Sequence, residues 1–168
     1  MLTILNSAKN ADFSALSAIY EERIFADGKK NYPREDASVQ YLLEQQTFYS
    51  YVRNFLENQQ GIWALWRAEG SFVAACRLEQ YQDGFLLTGL ETLPSARGKG
   101  YATAVVNAAL QYAANVGVAA VYSHVAKDNY GSLAVHKKCG FTVISDTALL
   151  LDGTAENKSC TLCQQLIK

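Results

Sequence analysis

The chain carries no run of about 20 apolar residues, the length a helix needs to cross a bilayer, so a transmembrane segment is not expected. Its start, Met-Leu-Thr-Ile-Leu-Asn-Ser-Ala-Lys, has no basic segment and only a very short apolar run, so it does not read as a secretory leader. Cysteine is sparse: Cys76, Cys139, Cys160 and Cys163 in 168 residues do not make a disulfide scaffold. These absences lead us to expect a reducing, cytoplasmic setting. A formal net charge of −1 removes any global bias towards nucleic acid or an anionic membrane. There is no internal repeat and no low-complexity segment.

One absence is local. Between Glu91 and Asp128 there is no acidic residue. From Ser95 to Gly140, Arg97, Lys99, Lys127, Lys137 and Lys138 stand against Asp128 alone. A cationic region in a near-neutral chain suits a small anionic ligand, or is simply a solvated basic face.

What is present is a folded composition: 49% apolar and 18% charged residues in a length typical of one domain, here residues 1–168. Residues 3–6 suggest a short strand. Asp12 is placed to cap a helix running to about Phe25, and the turn-rich ADGKKNYPRED of residues 26–36 suggests a loop. A helix is expected from about Val39 to Asn58. Three strands follow, with turns at Glu69-Gly70 and Asp83-Gly84, where acidic-Gly pairs separate apolar runs. Pro94 ends the third.

A helix is expected from Gly98 to about Val116, with Tyr101, Val105, Ala108 and Tyr112 on one face and Gly117 as its stop. Residues 118–126 read as a strand, Asn129 opens a short helix that Gly140 closes, and FTVISDTALLL and SCTLCQQLI read as two last strands. The order predicts a mixed α/β (α+β) chain with a central βαβ unit: a central mixed β-sheet flanked by helices.

TLPSARGKGYAT joins a strand to a helix through Gly98 and Gly100. Backbone N–H groups at such a helix start converge on one point, and glycine lets a ligand approach them closely, which suits phosphate. A Walker A loop is absent, and Gly98-Lys99-Gly100 lacks the third glycine and the later acidic residue of a dinucleotide fingerprint.

Arg97-Gly98-Lys99-Gly100-Tyr101-Ala102 resembles the R/Q-x-x-G-x-G/A signature of the GNAT superfamily, the acyl-CoA-dependent N-acyltransferases. Pro94 lies three residues before it, as is typical. Asn129-x-x-Ser132-x-x-Val135-His136-x-Lys138-x-Gly140-Phe141 is similar to the family's second motif, N-x-x-A-x-x-L-Y-x-K-x-G-F. The element order matches the family fold from about residue 61 onward, and residues 1–60 match in pattern only.

The resemblance implies a GNAT acyl-CoA N-acyltransferase fold, acetyl-CoA as cosubstrate and transfer of its acetyl group to a primary amine by direct attack. It places the pyrophosphate on Arg97, Gly98, Lys99, Gly100, Tyr101, Ala102 and Thr103, and pantetheine along Leu90, Glu91 and Thr92 in the manner of an added strand. It also brings Asn129 to the cofactor. Small-molecule or peptide amines are the expected partners, with neither nucleic acid nor membrane, and a homodimer is compatible with it.

The chemistry needs a neutral amine, a donor for the developing oxyanion and a proton for the departing thiolate. Many family members place a tyrosine as that proton donor where this chain has His136. Imidazolium could serve, as could Tyr130, or the thiolate could leave unaided. His124, twelve residues earlier, occupies the offset at which members resembling ribosomal-protein N-terminal acetyltransferases carry a glutamate base; it could equally be a satisfied strand histidine. Glu91 is the second base candidate, unless it faces solvent.

Two other readings stay open. The altered tyrosine position also suits a non-catalytic acyl-CoA-binding or sensing domain. His136-x-x-Cys139 with Cys160-x-x-Cys163 has knuckle-like spacing, but cysteines three apart on a strand point to opposite faces, so no metal site is expected. Tyr20, Phe25, Tyr32, Phe48, Tyr49, Tyr51, Phe55 and Trp63 could line an acceptor site or be core. Glu21, Glu22, Asp27, Glu35 and Asp36 could draw a cationic amine or be solvated.

Overall fold

The computed structural model describes residues 1–166. The chain forms β1 (Leu2–Leu5), α1 (Phe13–Ile19), α2 (Glu21–Asn31), α3 (Ala37–Glu57), β2 (Gly61–Ala68), β3 (Ser71–Tyr81) and β4 (Gly84–Thr92). It continues with α4 (Tyr101–Asn115), β5 (Ala120–Ala126), α5 (Tyr130–Lys138), β6 (Thr142–Ser145), β7 (Ala148–Leu149), β8 (Ala155–Glu156) and β9 (Ser159–Gln165). Seven strands make one sheet in the order β1-β2-β3-β4-β5-β9-β6, and β7 and β8 pair separately. Within the large sheet β4 and β5 run parallel, and the other neighbours are antiparallel.

The sheet separates two apolar layers because side chains alternate along each strand. On β2, Ile62 and Ala64 point into the core beneath α4, with Val105, Val106 and Ala109. Trp63 and Leu65 point the other way, against Leu16 of α1 and Val52 and Phe55 of α3. Asp12 caps α1 as the sequence suggests, accepting from the Ala15 N–H at 2.9 Å; Asp36, which the sequence places at the end of a loop, caps α3, accepting from Ser38 and Val39 at 3.0 Å each. At the β2–β3 hairpin, Glu69 and Gly70 both take positive φ (50° and 82°), the conformation that two-residue hairpin turns favour.

Three expectations need correction. The helix from Asp12 to Phe25 is two helices, broken at Tyr20, which serves as the last cap of α1 and the first of α2. Residues 26–31 are not loop but the second half of α2. Gly28 lies there because α3 crosses close by: a Cβ at Gly28 would sit 2.7 Å from the Gln40 carbonyl oxygen. A glycine that reads as a turn in sequence is a helix-crossing glycine in space. Finally, FTVISDTALLL is not one strand: it breaks after Ser145, and β7 folds back on β8 as a small hairpin. The strand end expected at Ile167 lies outside the described residues.

Candidate active site

The site originates in a failure of pairing. β4 and β5 form a ladder only from Phe85↔Val121 to Leu87↔Ser123. β4 then runs on to Thr92 and β5 to Ala126 without a shared ladder, leaving the β5-facing edge of residues 88–92 without strand partners. The divergence coincides with an irregularity in β4. Its register with β3 shifts between Ala75 and Arg77, and Gly89 adopts φ +58°, open to glycine at little cost.

The bulge is held from the helical layer. The Tyr20 hydroxyl donates to the Gly89 carbonyl at 2.6 Å and accepts from the Trp63 indole N–H at 3.0 Å. Burial first, against the nearby Arg77, raises the Tyr20 phenol above its usual range, so it stays a donor.

Three cavities that share lining residues follow this feature. The first, about 440 Å³, lies over the glycine loop and is lined by Leu90, Glu91 and Thr92, by Arg97, Gly98, Gly100 and Tyr101–Thr103, and by Asn129 on the opposite wall. Gly98 and Gly100 take φ of +76° and +83°, and a Cβ added to either would meet nothing within 4 Å, so the space above the loop is open. Gly100 caps α4 without a side chain. The first-turn N–H groups therefore have no capping oxygen and face an open, cation-flanked cavity, as anion sites do.

Arg97 is held beside that cavity by Glu22 of α2, with bonds of 2.6 and 3.2 Å. This pairing holds the Glu22 carboxyl below its usual range. Lys99 departs from the expected set: it lines a separate depression with Glu69 and Ser71 and not the loop cavity. Asn129 turns its side chain to the backbone, accepting from the Ser132 N–H at 3.0 Å as the cap of α5.

The second cavity, about 190 Å³, is the cleft between the diverging strands. It brings together all three proposed catalytic residues, Glu91, His124 and His136, with Gly89, Ser123 and Ser132. Burial raises the Glu91 carboxyl, opposed by Arg23 and Arg97. Burial lowers both imidazoles below the ordinary 6.5. His124 lies edge-on to Tyr81, ring centres 5.4 Å apart, and its Nε2 is buried with no hydrogen-bond partner among the described residues.

His136 is 1% exposed. Its Nδ1 lies 2.8 Å from the Ser132 carbonyl oxygen, which can only accept, so Nδ1 carries the proton of the neutral ring. Nε2, also without a partner, then holds a lone pair. A neutral His136 is thus arranged to accept a proton at Nε2 and not to give one.

The third cavity, about 310 Å³, shares Arg23 with the cleft and is walled by Tyr20, Phe48, Tyr51, Trp63 and Arg77. Of the acidic residues proposed for this side, only Asp27 lines it, and Asp27 pairs with Arg23 at 3.5 Å. Glu22 serves Arg97 and Asp36 caps α3, while Glu21 and Glu35 are exposed. Sequence reasoning did not pick out Arg77, Arg23 or Gly89. A glycine inside the apolar run FLLTGLET was the available signal of a bulge. A lone arginine in AACRLE, a buried strand, was the signal of a charge with a task.

The cysteines do not converge. Cys160 packs in the core beneath α4 and Cys163 with Tyr81 and Tyr122 on the opposite face. Among the described residues no group of three or more His, Cys, Asp or Glu is placed to hold a metal ion.

A profile of the Acetyltransferase (GNAT) family matches residues 17–141, about three quarters of the chain and both glycine-loop and α5 motifs. The chain belongs to the GNAT acetyltransferase family. Solved structures with the GNAT fold agree. The ribosomal-protein-S18-alanine N-acetyltransferase of Escherichia coli superposes with a TM-score of 0.65 at 18% identity, covering 100% of this chain and 96% of that one. The PaiA N-acetyltransferase of Thermoplasma acidophilum, determined in complex with coenzyme A, gives 0.67 at 13% identity, covering 98% and 99%. An N-acetyltransferase of Staphylococcus aureus Mu50 gives 0.66 at 16%, covering 99% of each. At these identities the likeness shows the GNAT fold. Comparison of the sequence with curated proteins gives no match.

Proposed function

We propose that the protein is an acetyl-CoA-dependent N-acetyltransferase that acts on a primary amine by direct transfer. The observation that carries this reading is the open glycine loop at the mouth of the β4–β5 cleft, with three proton-handling side chains inside it. The loop fits a pyrophosphate: uncapped N–H groups at the start of α4, Arg97 beside them, and open space where a Cβ would stand at Gly98 and Gly100. The unladdered edge of Leu90, Glu91 and Thr92 fits an extended pantetheine chain. Bound acetyl-CoA would supply an acetyl group activated as a thioester.

The chain's own residues then have separable tasks. The acceptor nitrogen must lose its ammonium proton before it can attack, and an amine with an ordinary pKa of about 10 is mostly protonated at neutral pH. His124, uncharged at pH 7 and with a free Nε2, is our choice to receive that proton, with Glu91 second. Backbone N–H groups on the β4 edge would face the developing oxyanion. A proton for the departing thiolate cannot come from Nε2 of a neutral His136, so His136 would act in this role only as imidazolium.

That last point also supports a second reading: a domain that binds acyl-CoA and does not turn it over. The two are separated by calorimetry with acetyl-CoA, together with an assay for free CoA against peptides, polyamines, amino acids and aminoglycosides. Binding with amine-dependent CoA release supports the enzyme. Binding without release on any of them supports the sensor. Absence of binding refutes both.

A further inference from the structure

The cavity walled by Phe48, Tyr51 and Trp63 contains a cation whose donors are mostly unused. Arg77 rises from β3 on the helical side of the sheet, and its side chain is 12% exposed. Its guanidinium carbon lies 5.2 Å from the Trp63 ring centre and 5.1 Å from that of Tyr51, so aromatic faces fix the plane of the fork. Of five N–H groups, one meets the Tyr51 hydroxyl. The nearest carboxylate, Glu79, is 3.5 Å away, an ion pair but too long for a good hydrogen bond, and it accepts instead from Thr88 at 2.7 Å. The Arg77 Nε–H is buried with no partner among the described residues. The two terminal nitrogens carry four N–H groups, only one of which meets Tyr51, and an anion in the cavity would engage those left over.

Arg77 lines the aromatic cavity and approaches a residue that lines the cleft. A Cβ placed on Gly89 would come within 3.1 Å of Arg77 Nε, and Gly89 lines the cleft. A group bound by the fork is therefore close to the point at which an acceptor nitrogen would meet the thioester. The other charges of the cavity differ from Arg77: Arg23 faces Asp27 at 3.5 Å and is more than half exposed, so water serves its donors, and Glu44 accepts from the Asn31 amide at 2.9 Å.

We propose that the acceptor is a small amine that carries a carboxylate a few bonds from its nitrogen, the carboxylate seated on the Arg77 fork and an apolar body among Phe48, Tyr51 and Trp63. The proposal rests on the N-acetyltransferase reading and narrows it from primary amines to amino-acid-like ones. The chemistry is unchanged: the N–C bond forms, the C–S bond breaks, the base takes the nitrogen's proton and CoA leaves as thiolate. Glycine at position 89 then has a second role, since any side chain there would intrude between the fork and the cleft.

The test compares probes that differ only in the carboxylate. Phenylalanine, phenylalaninamide and 2-phenylethylamine form one series; leucine, leucinamide and 3-methylbutylamine form the other. The wild-type protein should favour the carboxylate-bearing member by at least about tenfold in kcat/KM, mainly through KM, because the neutral analogues leave the terminal N–H groups of the fork without an anionic partner. R77M should bring the three members of each series together, with R77K, which keeps charge but loses the fork, between it and wild type. Equal or better rates with the neutral amines overturn the proposal and leave the acetyltransferase reading intact. A second arm needs neither turnover nor a variant: calorimetry on the CoA-loaded protein with N-acetylphenylalanine and N-acetyl-2-phenylethylamine. Tighter binding of the carboxylate by about tenfold supports the proposal; equal binding, or none, overturns it. Failure of the protein to bind CoA at all would be a failure of the earlier reading, seen separately in the loading step.

Discussion

The Tyr20 hydroxyl and the Gly89 carbonyl, 69 residues apart in sequence, meet at 2.6 Å. Through that bond the junction of α1 and α2 grips the positive-φ residue of β4, just past the end of its ladder with β5. The Trp63 indole N–H supports the same oxygen from below. Removal of the hydroxyl in Tyr20→Phe leaves a buried carbonyl and a buried indole N–H without partners. We expect a loss of about 1–3 kcal/mol, or roughly 2–10 °C in melting temperature for a chain of this size, measured by thermal unfolding. Because the bond sets the cleft, the variant should also weaken acetyl-CoA binding. An unchanged melting temperature would mean that the bulge does not depend on Tyr20.

Gly100→Glu should abolish measurable CoA binding in calorimetry. The substitution places a carboxylate where the first-turn N–H groups of α4 face the loop cavity, and it forces a side chain onto a backbone at φ +83°. Gly100→Ala shares the strain and lacks the charge, so it should retain more affinity than Gly100→Glu. Equal affinity in Gly100→Glu and wild type would remove the phosphate assignment.

The base can be identified from the acidic limb of the kcat/KM profile. Burial holds His124 below 6.5 and Glu91 above its ordinary 4.5. If His124 is the base, His124→Ala should lower kcat by about 10²–10⁴-fold, flatten that limb and leave acetyl-CoA affinity near wild type. Glu91→Gln should then keep the limb. The reverse result would transfer the role to Glu91.

Stability should fall on acidification between pH 6.5 and 4.5. His124 and His136 both have folded values below the ordinary 6.5, so the unfolded chain takes up their protons first. Stability is therefore full above 6.5 and declines as pH drops through that value. The Glu91 carboxyl, raised on folding, works in the opposite sense near 4.5. Melting temperatures across this window should show a shallower slope in His136→Gln than in wild type. Parallel slopes would mean that burial of His136 does not penalise its charge.

Gly28→Ala tests the crossing of α2 and α3. In an isolated helix alanine would gain up to about 1 kcal/mol over glycine. Here the added Cβ would stand 2.7 Å from the Gln40 carbonyl oxygen, so the helices must separate. Overpacking of this kind costs about 1–3 kcal/mol, and we expect a net loss seen as a lower denaturation midpoint in urea.

Much of the frame was legible in the residue order because its causes are local. Asp12 and Asn129 cap the helices they precede, and Gly117 and Gly140 stop α4 and α5 with positive φ. The glycine loop needs only Gly98, Gly100 and the uncapped turn that follows. Periodicity failed where a distant partner changed a residue's meaning. Gly28 looked like a turn until α3 was laid against it. Lys99 looked like a phosphate ligand by adjacency, and the loop turns its side chain to another depression.

The sequence by itself determined most of the element order, the glycine loop at the start of α4 and the family to which both motifs belong, since each depends on contacts within a few residues. The tertiary structure alone decided where β4 leaves β5, because strand pairing and its end depend on register, on Gly89 and on a hydroxyl from another layer. It also decided that His136 presents a lone pair and that Arg77 stands buried with an unused donor. Those properties are set by what surrounds a side chain in space.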